Sequence, residues 1–381
     1  MKTSWYYFSM AICWSAVLGA GEPIWMQKTI FEGGLDSVVE YRIPGMVTTN
    51  AGTLVAVCDA RVDRPGDAIN NIDIVMKRSV DAGKTWEPMR RLADFPGQQA
   101  AADPSIVFDR QAGKLWLFYD HILAEPAPSG TRVREQRVAS LHNMHSDDEG
   151  QNWTKPNDMT ATLKQTGWES VMAGPGRGSQ TRDGRLLVPC YTRRTDEDYT
   201  QILVSDDHGG SWRITNAVGP GTDESAVVEL ADGRWLLNIR SSLGDGYRVV
   251  STSSDGGQRW QPPRRATDLP GPCCQGSLIR YTDVRDGFQK NRILFSNPAH
   301  RSERRNMTVR MSYDEGKTWP VAKVIDAGPV AYSCLSILND GTIGLLYENG
   351  AESPYERITF ARFNLEWLSD GTDSLAEPTK R

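Results

Sequence analysis

Arginine, tyrosine and acidic residues recur in short, widely separated groups along the chain. They are Tyr41-Arg42-Ile43-Pro44, Arg61 with Asp67 six residues later, Thr222-Asp223-Glu224-Ser225, Asn238-Ile239-Arg240, Cys274-Gln275-Gly276-Ser277, Val309-Arg310 and Leu345-Leu346-Tyr347-Glu348. These residue types restrict the chemistry. Arginine is always charged and donates in a planar, two-point fork, which suits a carboxylate or phosphate better than lysine does. A phenol has a pKa near ~10, so tyrosine becomes a nucleophile only beside a base and positive charge. A carboxyl group in a loop can deliver or remove a proton. Each type also has an ordinary fate: a surface ion pair for arginine, core packing for a strand tyrosine, a turn for a loop aspartate. Arg304 and Arg305 lie close to Arg310, Glu229 close to Glu224, and Asp59 and Asp63 close to Asp67, so neighbours compete. Groups this far apart can act together only if the fold gathers them.

The elements that could do so are repeats. Five octets read Ser-x-Asp-x-Gly-x-x-Trp, at Ser79–Trp86, Ser146–Trp153, Ser205–Trp212, Ser253–Trp260 and Ser312–Trp319. Each joins a short side chain that bonds its own backbone, a Gly able to take positive φ, and a large apolar anchor. That is a hairpin turn whose Trp packs back on its sheet. Short β-rich runs interleave with the octets, beginning at Gly52, Gly113, Gly184, Gly233, Asn291 and Gly341. They are strand signals bounded by turn signals, and no long segment carries the 3.6-residue period of an amphipathic helix. Six strand units alternating with five turns predict an all-β fold, a six-bladed propeller of four-stranded antiparallel blades. A jelly-roll sandwich leaves the repeated turn unexplained. No linker or composition break lies between Glu22 and Asp370, so one domain is expected, with a polar tail from about 370.

Bulk properties exclude little else. With 43 basic and 48 acidic residues among 381, the net charge of −5 is mixed, and no basic run points to nucleic acid. Lys2, the apolar stretch Trp5–Leu18 and the small residues Gly19-Ala20-Gly21 form the pattern of a secretory signal, with the mature chain expected from about residue 21. The protein is expected to be secreted or periplasmic, with no membrane span after cleavage. Cys58, Cys190, Cys273, Cys274 and Cys334 remain beyond it, an odd number without zinc-like spacing and with no disulfide that the sequence selects.

The octets resemble Asp boxes, which occur in sialidases and also in non-catalytic and unrelated propellers. Tyr41-Arg42-Ile43-Pro44 resembles the Tyr/Phe-Arg-Ile-Pro motif of the exo-α-sialidases, and the other groups follow in that family's order from about Gln27 to Leu368. The resemblance implies a monomeric glycosidase that removes terminal α-linked sialic acids from glycoconjugates with retention of configuration, through a tyrosine nucleophile and without cofactor or metal. It implies Arg42, Arg240 and Arg310 as a clamp on the sugar's carboxylate, and Arg61 as a further contact. Tyr347 is implied as nucleophile, Glu224 as its base and Asp67 as the acid that later activates water. Because the sugar carries its carboxylate on the anomeric carbon, a neutral attacking group avoids like-charge repulsion. The stretches around Trp168-Glu169 and Tyr191 are expected to line the glycerol and N-acyl pocket. Tyr332-Ser333-Cys334 departs from the family, many of whose members carry Asp after Tyr-Ser. Transfer of the sugar and intramolecular release of an anhydro product would use the same residues. A non-catalytic glycan- or protein-binding propeller should lack one of the three roles.

Overall fold

The computed structural model describes residues 21–126, 135–195 and 197–375. The expected secretory signal and the last residues of the polar tail lie outside them. Six antiparallel sheets of four strands follow one another along the chain, which we number as blades. Blade 1 is Glu40–Thr48, Leu54–Arg61, Ile72–Ser79 and Arg90–Ala93. Blade 2 is Ala100–Asp109, Lys114–Pro126, Glu135–Ser146 and Asn157–Asp158. Blade 3 is Ser170–Ala173, Leu186–Arg194, Glu197–Ser205 and Arg213–Ile214, with Ser179–Gln180 extending its inner edge. Blade 4 is Thr222–Glu229, Trp235–Ser241, Tyr247–Ser253 and Arg264–Pro270. Blade 5 is Ser277–Thr282, Arg292–Pro298, Arg305–Ser312 and the first half of the long strand Val321–Ile337. That strand then bends at Val330 to become the inner strand of blade 6, ahead of Ile343–Asn349 and Arg357–Phe363. The N-terminal strand Trp25–Glu32 completes blade 6 from outside, so the two ends of the described chain close one sheet.

The core shows that the sheets form a ring. Six apolar clusters each join two consecutive blades: 1 with 2 around Met76 and Leu117, 2 with 3 around Phe118 and Leu186, 3 with 4 around Val204 and Leu237. They continue with 4 and 5 around Leu236 and Phe295, 5 and 6 around Leu294 and Leu345, then 6 and 1 around Phe360 and Met46. Both faces of every sheet are therefore buried, which is why strands such as Leu54–Arg61 open on a continuous apolar run, here Leu54–Cys58. The closed ring is the six-bladed propeller that the repeats predict.

The octets are the hairpins between third and fourth strands. In the first, Gly83 N donates to Ser79 Oγ at 2.9 Å, and Asp81 Oδ1 accepts from Thr85 N at 2.9 Å. The other four repeat the serine–glycine bond at 2.7 to 3.0 Å. Ala82 and Gly83 take φ of 59° and 85°, a left-handed pair for which the glycine is required. The box tryptophans pack on the interblade clusters, Trp86 against the one between blades 6 and 1. These turns are scaffold and lie away from the inner strands. All five cysteines beyond the signal are free.

Candidate active site

Four of the six inner strands carry an irregularity at one end, and these coincide with polar groups. Register shifts fall between Arg42 and Gly45, Ala102 and Ser105, Thr222 and Ser225, and Val330 and Ser333. Ile43 and Asp103 take φ of 62° and 59°. A bulge leaves a residue out of the ladder and re-aims its side chain, so each strand can turn a polar group toward the axis without breaking the apolar alternation beyond it. The loops joining second to third strands open at the same end and bring Asp67, Arg304 and Tyr355. Together they line a cleft of about 1040 Å³.

Tyr332 and Glu224 meet at its floor. Tyr332 Oη donates to Glu224 Oε1 at 2.6 Å, and Arg240 Nη1 donates to Tyr332 Oη at 2.8 Å while lying 3.0 Å from Glu224 Oε2. Arg240 is itself held by Asp223 through two bonds of 2.8 and 2.6 Å. Burial pushes Glu224 up to about 7 against the pull of Arg240, with Asp223 and Asp103 adding to the rise. Burial also pushes the Tyr332 phenol well above its ordinary range, Glu224 reinforcing and Arg240 opposing. The phenol is therefore neutral at rest, with a base already in contact.

Three guanidiniums surround this pair. Arg42 is anchored to the buried carboxylate of Glu348 by bonds of 3.0 and 3.3 Å, and Glu348 also accepts from Ile43 N at 2.7 Å and Tyr332 N at 2.9 Å. One carboxylate thus fixes Arg42 and the Tyr332 backbone together. The Arg42 guanidinium lies over the rings of Tyr355 and Tyr332, at 4.1 and 5.2 Å. Arg304 lies 5.4 Å over the Tyr332 ring and bonds Tyr355 Oη at 2.8 Å. With Arg240 they present three fixed cations to one point, a receptor for a carboxylate.

Asp67 sits above them in the loop after Leu54–Arg61, which Asn70 staples by bonds to the carbonyls of Arg64 and Gly66. Its side chain is 72% exposed, bonded to Arg61 Nη2 at 2.7 Å and 4.0 Å from Arg42 Nη1. Burial would raise its pKa, but Arg61 and then Arg42 outweigh that and hold it below the usual carboxylate range. Arg61 also bonds Glu40 at 2.9 Å.

The structure therefore gathers Arg42, Arg61, Asp67, Glu224 and Arg240, but not Tyr347 or Arg310. Tyr347 alternates with Ile343 and Leu345 on the face of Ile343–Asn349 that packs against blade 5. It is fully buried there, its hydroxyl near Asp326 without closing a hydrogen bond. Arg310 lies on a third strand, outward from the axis, donating to Asn297 Oδ1 at 3.1 Å. Tyr332 and Arg304 occupy the places in the cleft that sequence reasoning gave to those two. A signal for Tyr332 existed: Glu224 and Tyr332 each stand nine residues before the turn glycine that precedes the next strand, Gly233 and Gly341. Glu229 lies at the far end of its strand and accepts from Arg182 N, so it is no rival to Glu224. Glu169 and Tyr191 do line the cleft, whereas Trp168 packs beneath Arg194. Asp103, another lining residue, was not singled out from sequence.

The BNR repeat-like domain model matches residues 52–345. A sialidase of Micromonospora viridifaciens is 36% identical over 94% of this chain and 57% of its own length, and a Bacteroides fragilis sialidase 34% identical over 83% and 61%. The chain thus spans about three fifths of these relatives. Among solved structures, a Hadza microbial sialidase superposes with a TM-score of 0.81 at 33% identity, covering 90% of this chain and 69% of that one. A leech intramolecular trans-sialidase, at 21% identity and a TM-score of 0.76, shares the fold. With its ring of six blades and its box hairpins, the chain belongs to the sialidase family of BNR-repeat proteins.

Proposed function

We propose that this protein is a retaining exo-α-sialidase that cleaves terminal sialic acids from glycoconjugates, with Tyr332 as nucleophile. The observation that carries the reading is the 2.6 Å contact between Tyr332 Oη and Glu224 Oε1 beneath the guanidiniums of Arg42, Arg240 and Arg304. The clamp binds the carboxylate on the sugar's anomeric carbon and holds that carbon over the phenol. As Tyr332 Oη bonds the anomeric carbon, its proton passes to Glu224, the glycosidic C–O bond breaks, and the leaving oxygen takes a proton from Asp67. In the second half Asp67 removes a proton from water, whose oxygen attacks the anomeric carbon. The bond to Tyr332 breaks and Glu224 returns the phenolic proton. Two inversions retain configuration.

Electrostatics couples binding to the acid step. Arg61 and Arg42 hold the unliganded Asp67 ionised, in the wrong state for an acid. A substrate carboxylate on Arg42 supplies the opposing charge that lets Asp67 take up a proton. The site is thus readied by the ligand it acts on. Secretion belongs to the same proposal and rests on the Trp5–Leu18 pattern. The test is release of fluorophore from a 4-methylumbelliferyl α-sialoside, with the sugar product identified to separate hydrolysis from transfer or anhydro release. No release by a folded, monodisperse sample ends the proposal.

A further inference from the structure

The inner strands have a second end, and a pocket of about 650 Å³ opens there, bounded by Thr48, Phe108, Glu229, Thr282 and Ile337. These residues close the inner strands of blades 1, 2, 4, 5 and 6, so this mouth lies at the opposite end of the ring from the cleft. Its size suits a small-molecule site.

Its arginines divide into two sets. Arg182, Arg280 and Arg285 each pair with a carboxylate, Asp286, Glu315 and Asp283. Arg177 and Arg110 form no ion pair among the described residues. Among these residues Arg177 donates to the carbonyls of Gly178 and Leu335, at 3.1 and 3.0 Å. The exposed Arg110 side chain donates to Gln180, at 3.2 and 3.3 Å. Burial pushes Arg177 below the ordinary arginine range, and Arg110 pushes in the same direction. In the lining of the same pocket, Ser179 Oγ is buried and has no hydrogen-bond partner among the described residues. Enclosed charges are as a rule paired, and buried hydroxyls bonded. Arg177 and the orphan hydroxyl are the enclosed groups here, and Arg110 stands exposed at the rim of the same pocket, so an oxyanion would complete the first two and meet the third.

We propose that this far mouth is a second binding site, taking a small molecule that carries an oxyanion, with Arg177 and Arg110 receiving the charge and Ser179 Oγ donating to it. The site shares no residue with the cleft and is independent of the catalytic reading. The probe is sulfate: the unfolding midpoint of the full chain is followed against sodium sulfate, with sodium chloride at matched ionic strength as reference. Because the cleft arginines can also take sulfate, Arg304→Met and Arg177→Met are titrated beside the wild type. We expect a saturable, sulfate-specific rise that Arg304→Met keeps and Arg177→Met loses. No such rise in the wild type, a rise that Arg177→Met keeps, or one that Arg304→Met loses overturns the proposal. Should Arg177→Met not fold, Ser179→Ala decides: sulfate affinity lowered several-fold supports the site, and unchanged affinity overturns it.

Discussion

The two tyrosines that compete for the nucleophile give the sharpest test, because their hydroxyls sit in opposite environments. Tyr332 Oη makes two charge-assisted bonds, to Glu224 at 2.6 Å and from Arg240 at 2.8 Å. Bonds to charged groups contribute about 1.5–3 kcal/mol each. Phenylalanine removes both but leaves Glu224 paired with Arg240 at 3.0 Å. The stability loss in Tyr332→Phe should therefore be about 2 kcal/mol, less than the sum of the two bonds. Turnover should fall by at least about 10³, or about 4 kcal/mol of transition-state stabilisation, because the attacking atom is gone. Tyr347→Phe removes a buried hydroxyl that lies near Asp326 and closes no hydrogen bond among the described residues. Relief of that desolvation should leave stability unchanged or raised by up to about 1 kcal/mol, with turnover intact. Denaturant unfolding gives the first quantity and fluorophore release the second. A 2,3-difluoro sialic acid, which slows breakdown of the intermediate, should leave an adduct that peptide mapping places on Tyr332. An active Tyr332→Phe enzyme beside an inactive Tyr347→Phe, or an adduct on Tyr347, would refute the argument.

Glu224 must be ionised to accept the phenolic proton, and its raised pKa of about 7 makes the base fraction shrink as pH falls through that value. The acid limb of kcat/KM should therefore lie well above the ordinary glutamate range, and Glu224→Gln should abolish it; a limb near ~4.3 contradicts this. Arg304→Met should weaken binding of the planar 2,3-dehydro sugar acid by about tenfold or more, whereas Arg310→Met should leave it unchanged, as calorimetry would show. Asp373 closes the end of the described chain on the buried Arg292 at 2.8 Å, with Lys290 and Tyr313 also bonded to it. Its burial is outweighed by these partners, and its pKa is held down to about 2. The stability it contributes is present above the unfolded value of ~3.9 and lost as pH falls toward 2, and Asp373→Asn should cost about 3 kcal/mol at neutral pH by stranding Arg292. Gly83→Ala would put a Cβ 2.0 Å from the Phe360 ring at φ +85°, so the variant should lose several kcal/mol of stability. Any folded fraction should keep the wild-type KM, since the turn touches no cleft residue.

Sequence alone determined what is local. The Ser-Asp-Gly-Trp turns are complete within eight residues, because the serine, the aspartate and the left-handed glycine bond to one another and need no distant partner. Their repetition, alternating with β-rich runs, determined the number of blades. The motifs around Arg42, Glu224 and Arg240 were legible for the same reason, since bulge, charge and strand end lie together in the chain. Which tyrosine reaches the cleft was decided elsewhere. Tyr332 and Tyr347 are both strand tyrosines in the same sheet, 15 positions apart in the chain. What separates them is that one strand lines the axis and the other packs one layer out, where odd positions face the blade 5 core. Only closure of the ring makes that distinction. It sets Glu224 of blade 4 against Tyr332 of blade 6, and lets Glu348 tie Arg42 of blade 1 to both Ile43 and Tyr332. Arg304 follows the same rule: a residue in a connecting loop reaches the cleft, while Arg310, in a regular strand, is held where the ladder and the pleat put it.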